Sequence, residues 1–152
     1  MKRKKNKSGK KGMGKKLTEM AGLAIKHEFY LEASWILSTI FERKLLKILD
    51  KLQEPQQKQG MSFSQLIKRV KYINVSSQHP DFSAHIKVGL IDDIRNWKNQ
   101  RNEIYKDMAE VHVSKARLER LSVEGLRLFK ELNNATKSLK LADHLSVKSE
   151  QE

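Results

Sequence analysis

A chain of 152 residues with 38% apolar side chains can organise one hydrophobic core, and its 32% charged residues suit a soluble surface. It has no cysteine, which excludes disulfides, cysteine nucleophiles and thiolate metal sites and is compatible with a reducing cytoplasm. The net charge of +13 is uneven: residues 1–16 carry nine Lys/Arg and no acid, leaving 22 basic against 18 acidic residues, or +4, in the remainder.

The first segment, MKRKKNKSGKKGMGKK, is rich in lysine and glycine. It lacks the apolar surface to offset its ordering entropy and predicts a disordered basic tail over 1–16. Its cations, among them Lys2, Arg3, Lys4 and Lys5, would add salt-dependent, sequence-blind affinity for nucleic acid or would serve solubility alone. No apolar signal core follows the basic residues, and no stretch approaches the ~18 apolar residues of a membrane helix. A soluble cytoplasmic protein without a membrane partner is expected.

Strand signals are almost absent, and helical periodicity dominates. A helix over about 17–27 would place Leu17, Met20, Ala21, Ala24 and Ile25 on one face, with a turn near His27–Phe29. Residues 30–52 carry Tyr30, Ser34, Leu37, Phe41, Leu45, Ile48 and Leu52 at steps of three and four, flanked by Ile36, Ile40 and Leu49. That helix should be buried on more than one side. A loop with Pro55 and Gly60 follows over 53–61, and Ser62 with Gln65 reads as a capping box for a helix using Phe63, Leu66, Ile67, Val70 and Ile73. Beyond the loop NVSSQHPD, a long helix or helix pair over about 82–110 carries Ile86, Leu90, Ile94, Trp97, Ile104 and Met108. The last helix, about 114–142, has Leu118, Leu121, Gly125, Leu128, Leu132, Ala135, Leu139 and Ala142 in three-four alternation. This seam suits a helix docked on a bundle, with residues 143–152 fraying. The expectation is an all-α bundle of four or five helices over 17–142.

Most catalytic chemistry lacks residues to rest on. The five histidines have no HExxH or i,i+4 spacing, no glycine pattern cradles a phosphate, and no serine or threonine lies in a nucleophile elbow. No metal and no cofactor is implied. Asp92 and Asp93 point about 100° apart on a helix and read as solvated charges near Arg95 or Lys98.

The segment QRNEIYKDM, residues 100–108, is the exception. Arg101 falls at the edge of the buried face, Tyr105 shares that edge one turn later, and Asn102 and Lys106 lie together on another side. A guanidinium there can pack its stem while its fork meets a phosphate or carboxylate. Glu42, inside the apolar SWILSTIFERKLLKIL, either meets Arg101 across the bundle and orients it or sits at a solvent-facing edge.

In element order, and over roughly residues 20–140, the chain resembles the HEPN superfamily of small helical bundles. YLEASWILSTIFERKLLKIL looks like that family's early long helix, and LIDDIRNWKNQRNEIYKDM like its Arg-x4-6-His helix, through Trp97, Arg101, Asn102, Ile104 and Tyr105. The resemblance implies a metal-independent ribonuclease scaffold of the toxin–antitoxin or defence type. It also implies a homodimer, with two motif copies lining one cleft and a cognate antitoxin or other protein as partner. Arg101 would hold the scissile phosphate, and Asn102 would orient it. The acid–base position is Lys106 rather than histidine, and Asp107 and Met108 fill the longer spacings. Histidine titrates near about 6.5 and lysine near about 10.4, so Lys106 suits phosphate binding better than proton transfer.

Three functions follow from different classes. The favoured one is a HEPN-like module binding RNA, nucleotide or a partner protein through Arg95, Arg101, Tyr105, Lys106 and the tail. The alternative is an active metal-independent endoribonuclease using Arg101, Asn102 and Lys106. The third is a dimeric interaction subunit with no nucleic-acid role.

Overall fold

The most apolar segment of the chain forms its central helix. In the computed structural model, which describes residues 8–52, 60–76 and 78–149, Tyr30–Lys51 is a helix with Ala33, Leu37, Ile40, Phe41, Leu45, Ile48 and Leu49 all buried. In chain order the helices are α1 (Ser8–Lys26), α2 (Tyr30–Lys51), α3 (Phe63–Val75), α4 (Pro80–His85), α5 (Val88–Glu110) and α6 (Lys115–Ser149). No strand occurs among the described residues. The fold is an all-α bundle of five longer helices, with α4 as a short turn between α3 and α5.

α2 packs on α1, α3 and α6, while α5 bridges α3 and α6. Phe41 marks the centre of the core. Its ring lies 5.3 Å from Trp97 of α5, 6.0 Å from Phe63 of α3 and 5.5 Å from Phe129 of α6, the last edge-on. Aromatic pairs in this range add favourable quadrupole contacts to their burial. They place four helices around one residue.

Local chemistry sets the boundaries. The α1–α2 turn falls at His27–Phe29, and Glu28 adopts φ 65°, a left-handed conformation unfavourable for a residue with a Cβ. The exposed Lys115 Nζ donates to Glu28 Oε2 at 2.6 Å. Ser62 caps α3 reciprocally: its hydroxyl accepts from Gln65 N at 3.2 Å, and its own N–H donates to Gln65 Oε1 at 2.8 Å. Pro80 opens α4, where a missing N–H costs nothing. The segment predicted as one helix or a pair over 82–110 is a pair, broken at Ile86–Lys87. The buried Asn74 amide donates to the Ile86 carbonyl at 2.6 Å, fixing that break to the end of α3.

The helix ends depart from the sequence expectation in two places. α1 starts at Ser8, inside the segment expected to be a disordered tail through Lys16, and α6 continues to Ser149, through the residues expected to fray. Lysine is a good helix former, and α1 gains support by packing on α2 and α6. Residues 1–7, with Lys2, Arg3, Lys4 and Lys5, lie outside the described residues, as do Pro55 and the loop expected around it through Gln59.

On α1, Ala21 is buried but Met20 is 45% exposed, and on α5 Met108 is 42% exposed, so both predicted stripes are narrower than expected. Gly125 of α6 marks a close helix–helix approach in the core. A Cβ there would lie 2.7 Å from Cε2, Cζ2 and Nε1 of Trp97, whose Nε1–H donates to the Leu121 carbonyl at 2.8 Å. α5 therefore sits against bare α6 backbone.

Candidate functional site

Two rows of side chains face each other across α2 and α5. On α2, Ser34, Ser38 and Glu42 recur every four residues and share one side of the helix. On α5, Lys98, Arg101 and Tyr105 recur at steps of three and four. The rows meet antiparallel: Tyr105 Oη lies 2.6 Å from Ser34 Oγ, and the Arg101 Nη1–H donates to Ser38 Oγ.

The directions of these bonds follow from counting protons. Ser34 uses its single hydroxyl proton on the Leu31 carbonyl at 2.7 Å, so Tyr105 is the donor in the bond between them. Ser38 likewise donates to the Ser34 carbonyl at 2.8 Å and accepts from Arg101. Both chains of hydrogen bonds therefore run from α5 into the backbone of α2.

Arg101 is half-buried. Its charged carbon lies 5.6 Å from the centre of the Phe63 ring and 5.7 Å from that of Tyr105, which places the guanidinium in cation–π range of two rings. Nε and Nη2 donate to Asn102 Oδ1 at 3.2 and 2.8 Å. Three of the five guanidinium N–H groups are thereby used, and two remain. With its oxygen turned to Arg101, Asn102 has its amide N–H groups available as donors beside the cation.

No ion pair joins Arg101 to Glu42 among the described residues; Ser38, one turn earlier on α2, holds the guanidinium instead. Burial pulls the Arg101 pKa below its ordinary value, opposed by the fields of Tyr105 and Glu42. Glu42 thus acts on Arg101 through space. Burial likewise raises the Tyr105 pKa, against the lowering effects of the Ser34 bond and Arg101.

Lys98, one turn before Arg101, is buried at 8% exposure, and its ammonium donates to Ser64 Oγ in the first turn of α3. Burial lowers its pKa, and Arg101, Arg95 and Lys68 lower it further. A buried lysine with a hydroxyl partner and three cations in its field is a concentration of positive charge. The exposed Arg95 contributes to this field. Asp92, expected to interact with Arg95 or Lys98, instead receives Lys71 Nζ of α3 at 2.6 Å.

Of the residues singled out in the sequence, the fold brings Arg101, Asn102 and Tyr105 into direct contact, with Glu42 acting on Arg101 and Arg95 on Lys98 electrostatically. Lys106 is exposed, one turn beyond Asn102 on the outer side of α5. The supporting residues Ser38, Phe63, Ser64 and Lys98 were not foreseen. Two serines four apart within the most apolar helix are the signal that could have found the α2 row. No cluster of His, Asp or Glu able to hold a metal ion occurs among the described residues, and none of their helices is long and apolar enough to cross a membrane.

The arrangement can present a fixed cation, flanked by amide donors and further positive charge, to an anion approaching α5. Comparisons of the chain with protein-family models, with curated proteins and with solved structures find no match.

Proposed function

We propose that this protein binds RNA, with Arg101 gripping a backbone phosphate on a HEPN-like helical bundle. The observation that carries the reading is the way Arg101 is held. A half-buried guanidinium fixed by a serine hydroxyl and two aromatic rings keeps its full charge and two N–H groups for a ligand. The Asn102 amide beside it supplies neutral donors, and Lys98 and Arg95 deepen the positive potential. The resemblance of the α5 sequence to the HEPN motif helix points to the same ligand, and a dimer with paired motifs belongs to this proposal.

Binding, rather than cutting, fits Lys106. Lys106 is exposed, where a lysine can hold a phosphate as a point charge, and it stands where the resembled motif carries its histidine. Fluorescence anisotropy with a labelled single-stranded RNA tests the reading. Affinity should fall steeply between about 50 and 200 mM salt. Arg101→Ala should weaken binding, and Arg101→Lys should recover it only in part, because an ammonium lacks the guanidinium fork. Binding by a folded Arg101→Ala protein equal to that of the parent would overturn the proposal.

A further inference from the structure

On the side of α2 turned away from the Ser34–Ser38–Glu42 row, Arg43, Lys44 and Lys47 face a groove between α1 and α6. The groove encloses about 460 Å³, with Lys15 of α1 on one side and Lys137 of α6 on the other. Buried Ile40 and Phe129 contribute its apolar surface, and Lys44 Nζ donates to Asn133 Oδ1 at 3.0 Å. Among the described residues, five cations line this space and no carboxylate does.

Several cations elsewhere on the molecule are paired with acids. Lys71 pairs with Asp92, Lys115 with Glu28, Arg117 with Asp107, and Arg127 with Glu124 and Glu131. No ion pair among the described residues engages Lys15, Arg43, Lys47 or Lys137. Gathering like charges around a concavity is unfavourable for the free protein, and the repulsion is relieved when an anion enters.

We propose that this groove is a second nucleic-acid contact, holding the sugar–phosphate backbone of a single RNA strand. Arg43 and Lys47 are separated by about 6 Å along α2, so the cations form a row suited to a linear polyanion rather than one phosphate. The concave shape admits a strand and excludes a flat bilayer. Apolar surface from Ile40 and Phe129 suits the ribose and base faces. The groove uses none of the residues around Arg101 and stands independently of that site.

The test uses the full chain and a short fluorescein-labelled oligouridylate. Lys15, Lys47 and Lys137 are all exposed, so their joint replacement by glutamine leaves the core intact. Each lost phosphate contact removes about 0.7 from the salt slope, so the triple variant should have a slope shallower by about two and bind about a hundredfold more weakly at about 0.1 M salt. A control triple at the exposed Lys26, Lys87 and Arg120 removes the same charge elsewhere and should weaken binding far less. Equal weakening by the two triples, or none by the groove triple, overturns the proposal. So does capture of phosphatidylserine vesicles, but not oligouridylate, in a manner sensitive to the groove triple. Arg101→Ala in the same assay reads the other site. Loss there with the groove triple unaffected overturns the groove alone, and the converse overturns the Arg101 reading alone.

Discussion

Adding one methyl group at Gly125 should destabilise the bundle, although the same change at most helical glycines stabilises. Alanine is favoured over glycine inside a helix by about 1 kcal/mol. At Gly125 the new Cβ would sit 2.7 Å from three atoms of the Trp97 indole, well inside the ordinary carbon–carbon contact of about 3.5–4.0 Å. The indole must retreat by about 1 Å, but Phe41 packs tilted against it with ring centres 5.3 Å apart, and its N–H is committed to the Leu121 carbonyl. Overpacking of this kind costs about 1–3 kcal/mol, and weakening a buried hydrogen bond adds about 1 kcal/mol. After the propensity gain, Gly125→Ala should lose about 1–3 kcal/mol, which lowers Tm by about 2–12 °C for a chain of this size. Gly22 of α1 supplies the control, since a Cβ there meets nothing within 4 Å. Gly22→Ala should therefore raise Tm, by about 1–4 °C. Calorimetry or thermal circular dichroism on both variants reads the two signs. A Gly125→Ala protein that melts above the parent would refute the packing argument, because helix propensity would then outweigh the indole contact.

Lys98 gives a pH-dependent expectation. Its pKa is lowered in the folded state, so between that lowered value and the ordinary 10.5 the unfolded chain binds more protons, and stability rises with pH. Lys98→Met removes this titration. The stability difference between variant and parent in urea should shift in favour of the parent from neutral pH towards 10.5, and a pH-independent difference would count against it. Ser62→Ala removes the reciprocal cap of α3 and should cost about 1 kcal/mol by the same urea measurement, with no loss meaning that the cap is energetically silent. Lys106→His places a group of about neutral pKa one turn beyond Asn102. It should introduce RNA cleavage in EDTA that a second change, Arg101→Ala, abolishes; cleavage unaffected by the second change would separate it from this site.

Helix existence was readable because it depends on period, and period is local. The stripes through Leu37, Phe41 and Leu45, and through Leu90, Ile94 and Trp97, all point to the core as expected. The Ser62–Gln65 cap and the turn at Glu28 were also local features. Contacts across the bundle depend on how far each helix is rotated against its neighbour, which periodicity leaves open by tens of degrees. Hence Glu42 was a candidate partner of Arg101, whereas Ser38, one turn away, makes the bond. Lys71, rather than a neighbour on α5, answers Asp92 for the same reason. Lys98 was obscured by its type: lysine is among the residues least expected in an interior, and its buried ammonium meets Ser64 of α3, a contact that periodicity along α5 does not reveal.

The inward run of hydrogen bonds from Tyr105 and Arg101 into α2 bears on how quickly and tightly any ligand is held. A free arginine on a helix surface samples many rotamers and loses about 1.5–2 kcal/mol of side-chain entropy when it is immobilised. Arg101 loses that freedom when the chain folds, because Ser38, Asn102 and two rings already restrain it. An anion arriving at this guanidinium meets a preorganised receptor, and little of its interaction energy goes into ordering the protein. Lys106, exposed on the outer side of the same helix, must still be ordered. If the proposed ligand binds here, two cations of equal charge, five residues apart, would therefore contribute differently, Arg101 as a restrained anchor and Lys106 as an exposed side chain that binding has to order.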